Sequence, residues 1–191
     1  PEPGRQNVYV EALGRPLGPL GCHADVYTRR TGAHEPAELP AAPGVTVHHV
    51  PAGPARPVPR DELMPLMPEF ADRMADAWAR RPPDIVHGHF WMSGWASTTA
   101  APAGPPVVQT FHALGSVKRR HQGPADTSPP EREATERRLL RTVDAVIATC
   151  HDEVGELRAL GATAPTVVVP CGVNDEFSAF GELDSVRRTR R

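Results

Sequence analysis

A histidine and a lysine follow an apolar segment near the middle of the chain, and both side chains could bind a polar ligand. The segment 106–111 ends in Thr110 and Phe111, His112 comes next, and Lys118 follows a run of small residues. A neutral imidazole can donate one hydrogen bond and accept another, which suits a hydroxyl-rich ligand. Lys118 is the one lysine among 21 basic residues. Because a compact ammonium does different work from a planar guanidinium, its single use indicates a functional role.

The surrounding pattern predicts an α/β fold that would carry these residues to one edge of a sheet. Apolar and amphipathic segments alternate with short connections in the second half of the chain, which is typical of a Rossmann-like, doubly wound parallel sheet. Such a sheet keeps its ligand crevice at the carboxyl ends of its strands. We predict strands at 24–28, 45–50, 84–89, 106–111, 144–149 and 166–170, and helices at 61–81, 91–101, 130–142 and 152–160.

The segment 61–81 carries the clearest helical pattern. Asp61 is expected to cap this helix, and Pro65 places the start of its regular part at or just after that residue. Five apolar residues recur at spacings of three and four and predict a buried stripe: Leu63, Met67, Phe70, Met74 and Trp78.

An earlier helix is predicted to begin at Asn7, which would act as its N-cap. The apolar spacing continues to Gly21, but Pro16 and Pro19 each remove a backbone donor. We therefore predict a helix only over the first half of this segment.

At 191 residues the chain is long enough for one domain, and its composition excludes several classes of partner. The net charge is −2 and aromatic residues make up 5%, so no nucleic-acid surface is predicted. No apolar run approaches the ~18 residues of a transmembrane segment, and no signal peptide opens the sequence. Three widely spaced cysteines argue against a disulfide framework and predict a cytoplasmic protein, with Cys150 and Cys171 buried as small residues.

Two other clusters could each do chemistry of a different kind. His87 and His89 would share one face of a strand, as in some metal sites, but no third ligand is near in sequence. We predict that they pack beneath the cleft and that no metal is bound. A set of glutamates could supply the carboxylate pair of a glycoside hydrolase, but arginines accompany them on a charged helix, and we expect surface ion pairs instead: Glu131, Glu133, Glu136 and Glu153.

Five motifs occur in the order expected of family 4 glycosyltransferases. They are Gln6–Leu13 (QNVYVEAL), His87–Gly94 (HGHFWMSG), Gln109–Lys118 (QTFHALGSVK), Ala148–Glu153 (ATCHDE) and Val169–Val173 (VPCGV). Over residues 4–177 the chain resembles the amino-terminal half of these enzymes, in the branch of sucrose-phosphate synthase and of the glycosyltransferase that begins mycothiol synthesis. Residues 178–191 show no periodicity and are predicted to be a disordered tail.

The resemblance implies the amino-terminal half of a GT-B fold, in which two Rossmann-like domains face each other across a cleft. It implies an enzyme that transfers a hexose from a nucleotide-sugar to a sugar or sugar-phosphate acceptor, with retention at the anomeric carbon and without a metal or other cofactor. The sequence has no room for the carboxyl-terminal donor domain, and it begins within the turn that would follow the first strand of the fold. We therefore expect an acceptor-side domain that lacks this strand and is incomplete for catalysis.

The same resemblance assigns roles to individual residues. His112 would touch the donor sugar near the reaction centre, and Lys118 would lie on the phosphate side of the cleft as the second catalytic candidate. Gly4 and Arg5 would form the phosphate-binding loop, where the family usually has paired glycines. Three residues would hold the acceptor: Asn7, Arg60 and Arg132.

Two departures weaken the transfer of the acceptor's identity. The mycothiol-pathway relative has hydroxyl-bearing side chains at the positions of Phe90 and Ala113, and a site that loses two donors cannot bind the same phosphate equally well. We therefore do not predict inositol phosphate as the acceptor. A second hypothesis also stays open, in which the chain is a non-catalytic sugar- or phosphate-binding domain or a degenerate remnant.

Overall fold

The computed structural model describes residues 5–100 and 104–172, with side chains from residue 8 onward. Strands and helices alternate in the second half of the chain, as the sequence predicts. The strands are β1 (Ala24–Arg29), β2 (Glu38–Ala42), β3 (Val45–Val50), β4 (Val86–His89), β5 (Val107–Thr110), β6 (Ala145–Ala148) and β7 (Thr166–Val168). The α-helices are α1 (Arg5–Gly14), α2 (Met67–Arg80), α3 (Trp91–Ala100), α4 (Gly115–Gln122), α5 (Arg132–Thr142) and α6 (His151–Ala159).

The strands form two sheets. One is four-stranded in the order β4-β5-β6-β7, and all of its pairs are parallel, as predicted. The other has the order β1-β3-β2, with β1 parallel and β2 antiparallel to β3. Within the described residues, β1 pairs only with β3 and β4 only with β5, so each keeps one edge without a strand partner.

Strand β2 was not predicted, because the sequence indicates a loop between the first two strands. Pro40 lies in the middle of β2, where it cannot donate to a ladder. The strand is tolerated because it lies at the edge of its sheet, and the pairing with β3 shifts in register between Pro40 and Ala42.

Four of the five residues of the predicted stripe lie on α2 and form the centre of the core, whereas Leu63 precedes the helix and is half-buried. Met67, Phe70, Met74 and Trp78 are each buried to 7% exposure or less and belong to one apolar cluster that extends to Val50 and Leu140. Burying each such side chain contributes about 1.5–3 kcal/mol. Helix α2 also packs against α3, and the core therefore links the two sheets.

The start of α2 differs from the prediction that Asp61 caps it. Two short 3-10 turns, Arg60–Glu62 and Met64–Leu66, precede the helix, which begins at Met67 after Pro65. Proline at position 65 removes a backbone donor that a longer helix would use, and this explains the later start. Asp61 instead accepts a hydrogen bond from the Thr127 hydroxyl.

Helix α1 begins at Arg5 and ends at Gly14, so its end before Pro16 is as predicted and its start is not. Asn7 lies inside the helix, and the prediction that it is the N-cap is wrong. The chain continues through a 3-10 turn that ends at Gly21, whose φ of 81° is the left-handed conformation that favours glycine.

Helix α4 is a second unpredicted element, since the sequence places Lys118 in a loop. Its residues are mostly polar, with Val117 packed against the core. Its first turn is stabilised from another helix: the Gly115 N–H donates to the Glu136 carboxylate at 2.9 and 3.1 Å. A carboxylate at a helix amino terminus is favourable, but this one comes from a distant helix.

The remaining corrections concern the surface. Cys150 and Cys171, predicted to be buried, are exposed. No helix in the described ranges combines the length and apolar character needed to cross a bilayer.

Candidate functional site

The site begins where β4 and β5 end side by side. The two strands are parallel, with His89 opposite Thr110, so the residues that follow them meet at one edge of the sheet. Phe90 and His112 stand at these two strand ends, and both have left-handed backbones, with φ of 75° and 61°. This backbone conformation is energetically unfavourable for residues other than glycine, and such backbone strain is concentrated at functional sites.

Neighbouring residues hold the strained backbone in place. The Phe90 N–H donates to the Thr110 carbonyl at 2.9 Å. The Gln109 amide, fully buried, donates to the Phe90 carbonyl at 3.1 Å. Because the backbone at these strand ends is already fixed, little backbone entropy would be lost when its side chains bind a ligand.

Three histidines form what we call the imidazole cluster: His87, His89 and His112. His87 Nε2 lies 2.8 Å from the Thr110 hydroxyl, and His89 Nδ1 lies 3.0 Å from His112 Nε2. The ring centroids of His87 and His89 are 4.1 Å apart, and those of His89 and His112 are 5.2 Å apart. Strand alternation correctly predicted that His87 and His89 share a face; their contact with His112 follows from the register of β4 against β5.

Burial keeps this cluster uncharged. It lowers the pKa of His87 to about 4 and, with the neighbouring histidines, that of His89 to about 3. Burial also lowers the pKa of His112. At neutral pH the cluster therefore offers hydrogen-bond donors and acceptors without charge, which suits hydroxyl groups better than phosphates.

Tyr9 is a site residue that the sequence analysis missed. Its ring meets His112 edge-on at 5.0 Å and His89 at 5.7 Å between centroids. The signal was an aromatic residue within the first turn of the first predicted helix, two positions after Asn7. Tyr9 brings α1 to the same sheet edge as the imidazole cluster.

Lys118 lies in α4 and is held by carboxylates. Its ammonium is 3.0 Å from Asp126 Oδ1, 2.9 Å from the Ser128 hydroxyl and 3.9 Å from Asp61 Oδ2. The N–H and hydroxyl of Ser128, together with Lys118, hold the pKa of Asp126 well below its usual range. Lys118 is only 16% exposed. The structure thus gives His112 and Lys118 different sets of partners.

Arg132 is enclosed behind the strand ends. Its guanidinium donates to Glu136 at 2.8 Å and to the Ala113 carbonyl at 2.6 Å, and it lies 4.9 Å from the Phe90 ring centroid. The side chains of Arg132 and Glu136 are 2% and 0% exposed. The expectation that Glu136 makes a surface ion pair is wrong, because this pair holds the segment after His112 from inside.

Arg60 has the opposite environment. Its side chain is 59% exposed, makes a long ion pair with Asp61 at 3.5 Å, and lies 5.7 Å from the Phe90 ring centroid. The two arginines predicted to bind the acceptor therefore meet at one aromatic ring. Arg60 leaves most of its guanidinium open to a ligand, whereas Arg132 bonds to the protein.

The remaining predicted residues are described only in part. Gly4 lies outside the described residues, and for Arg5 and Asn7 the structure describes the backbone in α1 but not the side chains. Their roles stay predictions. Among residues 5–100 and 104–172, no three His, Cys, Asp or Glu side chains are grouped so that they could hold a metal ion.

Comparison with known proteins agrees with this architecture. Residues 6–172 match a family described as the glycosyl transferase 4-like domain. The chain is 38% identical over 193 residues to a D-inositol 3-phosphate glycosyltransferase of Nocardiopsis dassonvillei, covering 97% of this chain and 45% of that protein. It is 36% identical to the protein of the same name from Acidothermus cellulolyticus, covering 98% and 43%.

A solved structure shows the same fold. The sucrose-phosphate synthase of Thermosynechococcus elongatus superimposes with a TM-score of 0.85 at 28% identity, over 95% of this chain and 47% of that one. The Rossmann-like architecture and its place in the amino-terminal part of a GT-B glycosyltransferase, both predicted from the sequence, are thereby confirmed. The chain spans less than half the length of these relatives.

Proposed function

The chain belongs to the glycosyl transferase 4-like domain family, and from that premise we propose that it is the acceptor-side domain of a retaining enzyme that transfers a hexose from a nucleotide-sugar. The chain spans 45% of one relative's length, and the proposal places the donor-side domain outside these 191 residues. Transfer then depends on orientation of the two substrates and on stabilisation of the charge of the departing nucleotide. The proposal includes no metal or other cofactor and a cytoplasmic location.

The imidazole cluster is the observation that carries this proposal. Three uncharged, hydrogen-bonding rings stand at the carboxyl edge of a parallel sheet, where such folds bind ligands. His112, held in a strained conformation, would bond a hydroxyl of the donor hexose. Histidines that bind a ligand through a positive charge would instead have pKa values above the ordinary value for histidine.

Lys118, with Gly4 and Arg5 in the first turn, would face the donor phosphates. In this arrangement the phosphates compete with Asp126 for the Lys118 ammonium, since the two are 3.0 Å apart. An ammonium can leave one anionic partner for another because it is a point charge on a flexible stem.

Asn7 and Arg60 would contact the acceptor, and Arg132 would act with them at Phe90. Arg60 supports this role with an exposed guanidinium that can pair with two oxygens of a phosphate or carboxylate. Arg132 contributes by shaping the wall, because its hydrogen bonds fix the Ala113 carbonyl. We propose a small or carbohydrate acceptor, and because Phe90 and Ala113 lack hydroxyls we do not propose inositol phosphate.

The test is sugar transfer by the full-length protein that contains this chain, using radiolabelled nucleotide-sugars and a panel of sugar and sugar-phosphate acceptors. We expect transfer from one donor, lowered about 100-fold by His112→Ala. His34→Ala, at an exposed position remote in sequence from the site, is the matched control and should leave the rate unchanged.

Absence of transfer and of donor hydrolysis with every common nucleotide-sugar would contradict the proposal. Retained binding of sugars or phosphates without turnover would then support the alternative of a non-catalytic binding domain.

A further inference from the structure

The contact between His89 and His112 has a consequence for the hydrogen bond that the site can offer. His89 Nδ1 and His112 Nε2 are 3.0 Å apart, which is hydrogen-bond distance. Burial lowers the pKa of both rings, so at neutral pH the pair holds no extra proton. A hydrogen bond between two neutral imidazoles has one N–H donor and one nitrogen acceptor.

The bond ties together the protonation states of four nitrogens. If His112 Nε2 carries the proton and donates, then His89 Nδ1 is the acceptor, and both rings are Nε2–H tautomers. If His89 Nδ1–H donates, both rings must take the Nδ1–H form. A free imidazole side chain favours the Nε2–H form, so the first arrangement uses the preferred tautomer twice and the second uses it in neither ring.

Within the imidazole cluster, His89 is the residue whose hydrogen bond can set the tautomer of His112. His87 lies 2.8 Å from the Thr110 hydroxyl and packs against the His89 ring at 4.1 Å, whereas the hydrogen bond to His112 comes from His89. Tyr9 meets His112 edge-on, without a hydrogen bond among the contacts of the described residues. Nδ1 of His112 is the ring nitrogen that His89 leaves for a ligand.

We propose that His89 is a positioning residue that holds His112 as the Nε2–H tautomer, so that His112 Nδ1 accepts a hydrogen bond from a sugar hydroxyl. The role assigned to that hydroxyl rests on the proposed function, whereas the tautomer does not. The left-handed backbone of His112 sets the ring's position, and the bond from His89 sets its rotation and its proton. The site would then discriminate in favour of a hydroxyl, which can donate, over an ether or carbonyl oxygen, which cannot.

Nitrogen NMR of the 191-residue chain labelled with ¹⁵N-histidine tests the tautomer directly. At pH 7 we expect a pyrrole-type Nε2 and a pyridine-type Nδ1 for His112, as a single neutral species. His89→Phe removes the acceptor and should give a mixture of tautomers. His89→Asn places an amide oxygen near the position of the lost Nδ1, so it should restore the single tautomer.

His87→Asn is the matched control, since it changes the neighbouring ring without touching His112, and the His112 signals should keep their type. A pyrrole-type Nδ1 in the unmodified chain would overturn the proposal. So would a His112 tautomer ratio that His89→Phe leaves unaltered. Because the first of these readouts uses the unmodified chain, a variant that fails to fold does not remove the test.

Kinetics of the full-length protein separate this inference from the proposed function. We expect His89→Phe to lower kcat by about 10–100-fold with the acceptor KM unchanged, and His89→Asn to recover most of the loss. If His89→Phe shifts the tautomer but not kcat, the positioning role is wrong. If the unmodified enzyme transfers no sugar, the proposed function fails while the NMR result still decides whether His89 fixes His112.

Discussion

At the scale of single residues, the uncharged histidines should make folding sensitive to acid. His87 and His89 have pKa values of about 4 and about 3 in the folded chain, against 6.5 when unfolded. Between pH 6.5 and about 4 the unfolded chain therefore binds more protons than the folded one. The free energy of unfolding should fall in this window by about 1.4 kcal/mol per pH unit for each histidine that stays neutral, and it should be constant above it.

Urea denaturation at pH 7.5, 6 and 5 measures this slope. His87→Asn should reduce it by the share of one histidine, whereas His34→Asn, at an exposed position, should leave it unchanged. Equal slopes for the three proteins would contradict the assignment of a neutral, buried His87.

The buried ion pair leads to a second prediction at this scale. Glu136→Gln leaves the Arg132 guanidinium, 2% exposed, without its anionic partner. We expect a loss of about 3–5 kcal/mol of unfolding free energy, because an unpaired buried charge keeps its desolvation cost. The double variant Arg132→Met/Glu136→Leu should recover only part of this loss, because it also leaves the Gly115 N–H and the Ala113 carbonyl without these partners. Denaturant midpoints of the unmodified chain and both variants provide the measurement.

Glu133→Gln is the matched control on the same helix. Glu133 pairs with Arg137 at the same spacing of four residues, but the arginine side chain is 41% exposed. Its loss should cost at most about 1 kcal/mol. Equal effects at positions 133 and 136 would show that burial does not govern the pair.

The sequence predicted strand faces and helix spacings better than it predicted which side chains are in contact. Strand alternation placed His87 and His89 on one face, but only the pairing of β4 with β5 brings them to His112. A helical spacing of four predicted ion pairs for the glutamates of this helix and could not show that the pair of Glu136 with Arg132 is buried. Partners distant in sequence are set by tertiary packing, which a local pattern does not contain.

At the scale of secondary-structure elements, the closeness of α3 to the sheet gives a third prediction. A Cβ at Gly94 would lie 2.2 Å from Gln109 Oε1 and 3.0 Å from Leu139 Cδ1. Gly94→Ala should therefore destabilise the chain by about 1–3 kcal/mol, although alanine is the better helix former. Gly155→Ala in α6 meets no atom within 4 Å and should stabilise by about 0.5–1 kcal/mol.

Thermal unfolding of the two glycine variants tests this prediction, because Gly94→Ala should lower the melting temperature and Gly155→Ala should raise it. A stabilising Gly94→Ala would mean that α3 can move away from β5 at little cost.

The elements that the sequence failed to predict share a physical cause. Helix α4 has a single large apolar residue, Val117, and the Glu136 carboxylate that stabilises its start comes from another helix. Strand β2 contains a proline and is held by pairing with β3. By contrast, α2 has an amphipathic face of its own, so its pattern was visible, and only the assignment of Asp61 as its cap was wrong.

At the scale of the whole molecule, β1 and β4 each have one edge that no strand of the described residues covers, and we expect these edges to limit the stability. Unpaired backbone groups removed from water cost about 1–3 kcal/mol each. Val8 and Leu13 on α1 also stay 40% and 37% exposed. We expect the isolated 191-residue chain to unfold below about 50 °C in calorimetry.

An added strand should raise this temperature. A version with a short apolar strand segment fused before residue 1 should be more stable, and one with a polar segment of equal length should not. A cooperative transition well above ~50 °C for the unextended chain would contradict this account.

The chain's one lysine also determines how the protein will respond to amine-directed reagents. Beyond the amino terminus, acylating labels and lysine cross-linkers have a single target, and its ammonium is engaged by Asp126 and Ser128. The rate of Lys118 acylation therefore reports how often α4 and the 126–128 segment separate, and a bound anion that displaces Asp126 would change that rate at one identifiable peptide.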